Sequence, residues 1–422
     1  MDVVEQAAGA SLALPRRGTA YQVVLVGLLS LNFGILFFDR NALNFLMPFV
    51  KPDLGLTNTQ VGLTASALSF SWAIAALFMG AASDRTGKRK TFLIACTVAF
   101  SLCSFFSGLA QSFLMLFAAR LLMGTVEGGV APVSQTMIAM AVPHERRGLA
   151  MGVMQNLGSN LFGSFVGPLL LVWFATTLGW HNAFFLAGIP GLISALLIWR
   201  FVEEPPAVPK SARSHDLLAH LADILAVPNM IVCIALSVLL VSYLVVCWAF
   251  MPLFLTKVRG FDPTTMSWLM ATLGISAAIG SFAVCGISDR IGRKPVMIVT
   301  SFLGIILPLG AMYYGGSVWL LAAIFFIGWA LTGIFPLFMA TVPSESVDAG
   351  HITTAMALVM GMGEVLGGVF SPTVAGWAAD LYGLKAPLWI MIGLCSVSGL
   401  LALALRETAP AVLKAKTATI SS

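Results

Sequence analysis

The feature that most constrains this chain is a recurrence. Long apolar runs return twelve times along the sequence, separated by short polar turns. The runs fall at about Tyr21–Pro48, Val61–Ala82, Thr91–Leu109, Phe113–Met140, Gly148–Leu178, Asn182–Phe201, Asn229–Thr256, Ser267–Ile287, Val296–Tyr314, Val318–Ala340, Ile352–Asp380 and Pro387–Leu405. A run of about twenty apolar residues spans a bilayer as a helix, and a lipid-facing backbone must satisfy its own hydrogen bonds. The expected fold is therefore an all-α membrane protein of twelve spans. Composition agrees: 59% of residues are hydrophobic and 10% charged, against about 25% charged in soluble domains. The mean hydropathy is +0.94. The net charge of +5 sits in short loops between the runs and does not point to nucleic acid.

The layout is bipartite. Residues 1–20 read as a tail, 21–202 as six spans, 203–227 as a polar linker, 228–405 as six more spans and 406–422 as a second tail. Within the linker, Leu217, Leu221, Ile224 and Leu225 share one helical face, which predicts a short interfacial helix over Asp216–Leu225. No short apolar region with a cleavage site precedes the first span, which reads as uncleaved. Of the 23 lysines and arginines, Lys51, Lys257, Arg259 and Lys385 fall on one side, Arg40 and Arg120 inside spans, and the others on the opposite side. The positive-inside rule then places both termini in the cytoplasm of a multi-pass plasma (inner) membrane protein.

The first span holds an acid and a base side by side, Asp39 and Arg40. A helix from Gln22 to Val50 is about 40 Å long at about 1.5 Å per residue, so the pair lies deep in the membrane. Each such charge costs about 2.5–3.5 kcal/mol to insert. Span four adds Arg120 and Glu127, seven residues apart and pointing the same way, and span eleven adds Glu364 between glycines. Arginine keeps its proton and suits two-point carboxylate binding. A buried acid beside an arginine can change protonation when that arginine finds another partner. Structural ion pairs are the alternative reading. Ser159 and Asn160, with Gln155 and Asn156, offer polar lining on span five.

A repeat links the halves. Ser83-Asp84-Arg85-Thr86-Gly87-Lys88-Arg89 follows span two, and Ser288-Asp289-Arg290-Ile291-Gly292-Arg293-Lys294 follows span eight. With Gly80 before the first copy, glycines allow tight reversal, the acids Asp84 and Asp289 are placed to cap a neighbouring helix, and Arg85, Arg89 and Arg290 anchor the turns to the membrane surface. These loops resemble the signature of the major facilitator superfamily, whose members rock two six-helix bundles about a central substrate. Asp-Arg in span one with Arg-x3-Gly-x2-Glu in span four resembles its anion:cation symporter branch. That branch includes hexuronate, aldonate and phthalate carriers and the sialic-acid and vesicular glutamate transporters. The resemblance implies that Arg40 contacts a substrate carboxylate, that Asp39 and Glu127 exchange protons, and that Arg120 pairs with Glu127 or helps hold the anion. Glu364 departs from that pattern and reads as a second proton site or a contact for a hydroxyl or amine, with a protonated acid hydrogen-bonded across helices as the alternative. Trp72 stands where the branch often has tyrosine, and in span ten only Thr332 of Thr332–Phe338 can hydrogen-bond. With Trp248 and Phe250, these residues favour an aromatic or poorly hydroxylated acid.

The expected activity is therefore proton-coupled symport of a small organic anion by a monomer in the lipid bilayer, with the proton as coupling ion and no other cofactor. The partial motif Gly163-Ser-Phe-Val-Gly167-Pro168 keeps a proton-coupled exporter of apolar or cationic compounds as the alternative. His144, His181, His215, His220 and His351 fall in loops or at span ends, and the six cysteines lie in apolar stretches without ligand spacing. No metal site, disulfide or phosphate-binding loop is expected. An enzyme would need a nucleophile or clustered acid–base site, and none is visible.

Overall fold

The computed structural model describes residues 18–205, 223–348, 351–410 and 412–413. The interfacial helix expected over Asp216–Leu225 lies mostly outside them; Asp223 to Leu225 are helical. Twelve helices follow one another, with no strand among the described residues. They are α1 (Thr19–Asp53), α2 (Asn58–Thr86), α3 (Arg89–Gly108), α4 (Phe113–Ala141), α5 (Leu149–Leu178), α6 (Trp180–Phe201), α7 (Pro228–Lys257), α8 (Pro263–Ile291), α9 (Arg293–Tyr313), α10 (Val318–Ser346), α11 (Thr354–Tyr382) and α12 (Ala386–Ala402). Ten are long and apolar enough to cross a membrane, and α12 is a shorter apolar helix. The helices overrun the apolar runs by about a turn because polar residues complete their caps. Thr57 and Gln60 form a reciprocal capping box at the start of α2, and Asp262 accepts from Thr265 at the start of α8. Those two hydrogen bonds also hold the Asp262 carboxyl below its ordinary range.

Several helices depart from α geometry. α4 is interrupted at Gly128–Gly129, directly after Glu127. α5 holds wide π turns at Val153–Leu157 and Ser159–Val166, α10 a tight 3₁₀ stretch at Ala330–Ile334, and α11 a π turn at Gly363–Gly368. Such turns gather where a membrane helix meets a functional cavity.

The repeated Ser-Asp-Arg motif is not a loop up to its glycine. In both copies it forms the last helical turn, which the glycine closes. Gly87 has φ +67° and donates to the Ser83 carbonyl; Gly292 has φ +113° and donates to that of Ser288. Both are backbone conformations that L side chains rarely adopt.

The two halves share a further device. The Glu204 carboxylate, just past α6, accepts from the backbone N–H groups of Lys90 and Thr91 at the start of α3 (2.8 and 3.2 Å). Glu407, just past α12, accepts from those of Arg293 and Lys294 at the start of α9 (2.8 and 3.1 Å). Each is an acid on a positive helix end, and each ties the last helix of its half to the third. Burial works to raise the Glu407 carboxyl, but the N–H groups of Ala409, Arg293, Lys294 and Thr408 outweigh it and hold it low.

The halves meet along α2 with α11, α5 with α8 and α1 with α7. On the side opposite the linker, Asp380 at the end of α11 accepts from Asn58 N, Thr59 N and Thr59 Oγ1 at the start of α2 (2.8, 2.8 and 2.6 Å). Ser66 and Thr373 share a hydrogen bond of 2.7 Å below it. A Cβ on Gly62 would lie 2.1 Å from the Pro372 carbonyl oxygen, and one on Gly376 2.3 Å from that of Asn58. The far side is therefore closed by direct backbone contact between α2 and α11.

Candidate functional site

The charged residues of α1 and α4 converge inside the N-terminal half. α2 is drawn against α4 by small residues: a Cβ on Gly124 would lie 2.3 Å from the Leu68 carbonyl oxygen, and one on Gly128 3.0 Å from that of Trp72. That approach brings Trp72 over the α1 charges.

Arg40 is the cation that faces outward from this cluster. Its side chain is 16% exposed, against 0% for Glu127, and its Nη1 lies 3.8 Å from Glu127 Oε2. Its guanidinium carbon is 5.4 Å from the Trp72 ring centre and 5.7 Å from that of Phe37. Two aromatic faces and one carboxylate thus hold the guanidinium in place, leaving part of its donor fork free.

The other members sit deeper. Asp39 is fully buried and accepts from the Ser104 hydroxyl of α3. Its Oδ2, and both oxygens of Glu127, have no hydrogen-bond partner. Arg120 is 2% exposed. Its Nη1 donates to the Arg40 carbonyl oxygen (3.3 Å) and to Met123 Sδ (3.1 Å).

One expectation is corrected in part. Arg120 was expected to pair with Glu127 or hold the anion. The ion pair within 4 Å belongs instead to Arg40, while Arg120 Nη1 donates to the α1 backbone behind Arg40. The seven-residue spacing put Arg120 and Glu127 on one face of α4, but Arg40 from α1 lies within 4 Å of Glu127.

Thr332 is also corrected. It is 7% exposed and its hydroxyl donates to the Trp329 carbonyl oxygen of its own helix, so it offers a substrate no donor. Ser159, half-buried, is likewise turned back onto the Gln155 carbonyl oxygen. Asn160 is half-buried beside it. Glu364 lies across the interface on α11, half-buried.

Of the residues around the two repeated motifs, Gly80, Asp84 and Arg85 lie on α2, their side-chain surroundings outside the described residues. Arg89 is 6% exposed. Asp289 pairs with Arg293, which also reaches Glu345 at 3.1 Å, and Arg290 is exposed. Among the described residues Asp289 caps no neighbouring helix: it pairs with Arg293, and Glu407 occupies the α9 terminus.

Sequence reasoning missed Asp380, Glu204 and Glu407. Their signal was present: Asp380 sits in the last turn of its own helix, where its charge opposes the dipole, and the two glutamates recur just after the sixth and twelfth spans. A surface cleft lined by Pro48, Asp53, Trp180 and His181 lies on the far side, with Trp180 Nε1 donating to Asp53 Oδ2 (2.9 Å), away from the charges. Among the described residues no group of three or more metal-ligating side chains occurs.

Comparison with known proteins agrees with the fold. The Major Facilitator Superfamily model matches residues 29–262 and 234–421. The chain belongs to that superfamily and is a membrane transporter rather than an enzyme. It is 29% identical over 340 residues to a "Probable 4-methylmuconolactone transporter" of Cupriavidus pinatubonensis, covering 78% of each chain. It is 27% identical to a "Hexuronate transporter" of Bacillus subtilis, covering 85% of this chain and 88% of the other. It is 25% identical to "Multidrug resistance protein MdtG" of Salmonella typhimurium, covering 85% and 90%. Among solved structures, the nucleoside transporter NupG (D323A mutant) superposes with a TM-score of 0.75 at 14% identity, over 90% of this chain and 99% of that one; this likeness concerns the fold.

Proposed function

We propose that this transporter is a proton-coupled symporter of a small, poorly hydroxylated organic carboxylate, working by alternating access at the plasma membrane with the linker side cytoplasmic. The observation that carries the reading is Arg40: a partly exposed guanidinium inside a membrane protein, held by Trp72, Phe37 and a buried glutamate 3.8 Å away. A carboxylate arriving at its free fork takes over the charge that Arg40 shared with Glu127. Glu127 then stands in a buried site without hydrogen bonds, and a proton removes its charge. Anion and proton together leave the cluster no more charged than before, which lowers the cost of closing the halves over it.

Asp39 supports the same chemistry one layer deeper, through Ser104 and α3. The relatives named for a muconolactone and a hexuronate support an organic anion. The spent hydroxyls of Thr332 and Ser159 favour one with few hydroxyl groups.

A panel of radiolabelled carboxylates in proteoliposomes tests this. One class should accumulate under an inward proton gradient in the wild type and bind no longer in Arg40→Ala. Transport of acids with no dependence on Arg40 contradicts the reading.

A second reading, proton-coupled export of apolar or cationic compounds, draws on the multidrug relative and the Gly167-Pro168 pair of α5. Proton release on adding a cationic drug, unchanged in Arg40→Ala, would favour it.

A further inference from the structure

One carboxylate is left over on the opposite wall. Glu364 sits in the π turn Gly363–Gly368 of α11. A Cβ on Gly363 would lie 2.1 Å from Ser237 Oγ, and one on Gly367 2.6 Å from the Val238 carbonyl oxygen. This turn is therefore pressed against α7. The Glu364 side chain is turned the other way, toward α2: a Cβ on Gly368 would lie 3.2 Å from Glu364 Oε2 and 3.3 Å from Ser69 Oγ.

Ser69 lies one turn before Trp72 on α2, and the Trp72 ring covers Arg40. Glu364 is half-buried and takes part in no hydrogen bond or ion pair among the described residues. Other buried acids of the site have a partner: Asp39 has Ser104, and Glu127 has Arg40. Glu364 is thus, among the described residues, an acceptor with nothing to accept, on the α11 face that meets the α2 turn before Trp72.

We propose that Glu364 determines specificity by accepting a hydrogen bond from a donor, a hydroxyl, at the end of the substrate remote from the carboxylate that Arg40 binds. The inference rests on the carboxylate reading of Arg40. The substrate class it names is a monocarboxylate with an apolar, flat body and a distal hydroxyl. A dicarboxylate would bring its second charge against Glu364 and is rejected. An acid lacking the hydroxyl leaves Glu364 unsatisfied, and losing a hydrogen bond to a charged acceptor weakens binding about tenfold to a hundredfold.

The test is equilibrium binding of benzoate, 4-hydroxybenzoate, 4-methoxybenzoate and terephthalate to the full chain in nanodiscs. The wild type should prefer 4-hydroxybenzoate over benzoate and 4-methoxybenzoate by about tenfold or more, and exclude terephthalate. Glu364→Ala should level the three monoacids. Glu364→Gln, which keeps an acceptor and the side-chain shape, should retain part of the hydroxyl preference and admit terephthalate. Arg40-dependent binding whose hydroxyl preference is unchanged in Glu364→Ala overturns this inference alone. Binding of none of the acids overturns it together with the carboxylate reading.

Discussion

Substituting Arg40 separates charge from geometry. A carboxylate bound to a guanidinium takes two parallel charge-assisted hydrogen bonds, each contributing about 1.5–3 kcal/mol. The Trp72 face at 5.4 Å adds about 0.5–1 kcal/mol by holding the fork in position. Arg40→Lys keeps the charge but loses one bond and the planar fork. The expected loss is about 2 kcal/mol, or roughly thirtyfold in affinity. Arg40→Ala loses both bonds, and the expected weakening is about a hundredfold or more. It also leaves Glu127 buried without its ion-pair partner, which is itself destabilising. The double variant Arg40→Ala with Glu127→Gln removes both charges, so its thermal stability should recover while binding does not. Radioligand binding in detergent, paired with a melting curve for each variant, reads both quantities. An affinity within threefold of wild type in Arg40→Lys and Arg40→Ala would refute the assignment. So would recovery of binding in the double variant.

Other expectations follow from the contacts between helices. Gly62→Val and Gly376→Val each place side-chain atoms where the α2 and α11 backbones touch. Either should hold the far side open, with transport lost and a cysteine introduced at Gln60 labelled faster by a membrane-impermeant maleimide; unchanged labelling would count against the closure described. Asp380→Ala removes three hydrogen bonds from the same seam, each contributing about 1 kcal/mol or somewhat more. It should raise far-side labelling severalfold without abolishing transport. Glu407 is held below its ordinary value of 4.5, so its stabilisation is complete above that pH and lost as pH falls through the lowered value. Melting curves should show Glu407→Gln less stable than wild type at pH 7, with the difference shrinking as the pH falls toward 3. A difference that grows on acidification would reverse the sign of the argument.

The helical spans and the repeat were legible because lipid imposes length and apolarity on most spans, and because glycine is required where Gly87 and Gly292 turn. Arg40 and Glu127 were legible for the same reason in reverse: charge inside a span is too costly to be incidental. What the sequence did not carry was who meets whom. Arg120 and Glu127 share a face of α4, yet Arg40 from α1 takes the glutamate. Thr332 looked like the one polar group of its stretch, but a threonine in a helix can satisfy itself on the preceding turn, and it does. The π turns of α5 and α11 shift side chains off the 3.6-residue period, so the orientation of Asn160 and Glu364 could not be read from spacing. Asp380 was readable in principle, as an acid opposing its own helix dipole. Its partner at Asn58 and Thr59 is 321 or 322 residues away in the chain, which no local pattern reveals.

Proton coupling is the central claim, and one measurement meets it directly. Reconstituted wild type, Asp39→Asn and Glu127→Gln are assayed with a carboxylate shown to bind, first for exchange across equal pH and then for accumulation under an inward proton gradient. The account predicts that at least one of the two variants exchanges substrate at a rate near wild type yet accumulates none above equilibrium. Accumulation at the wild-type level in both variants would contradict it.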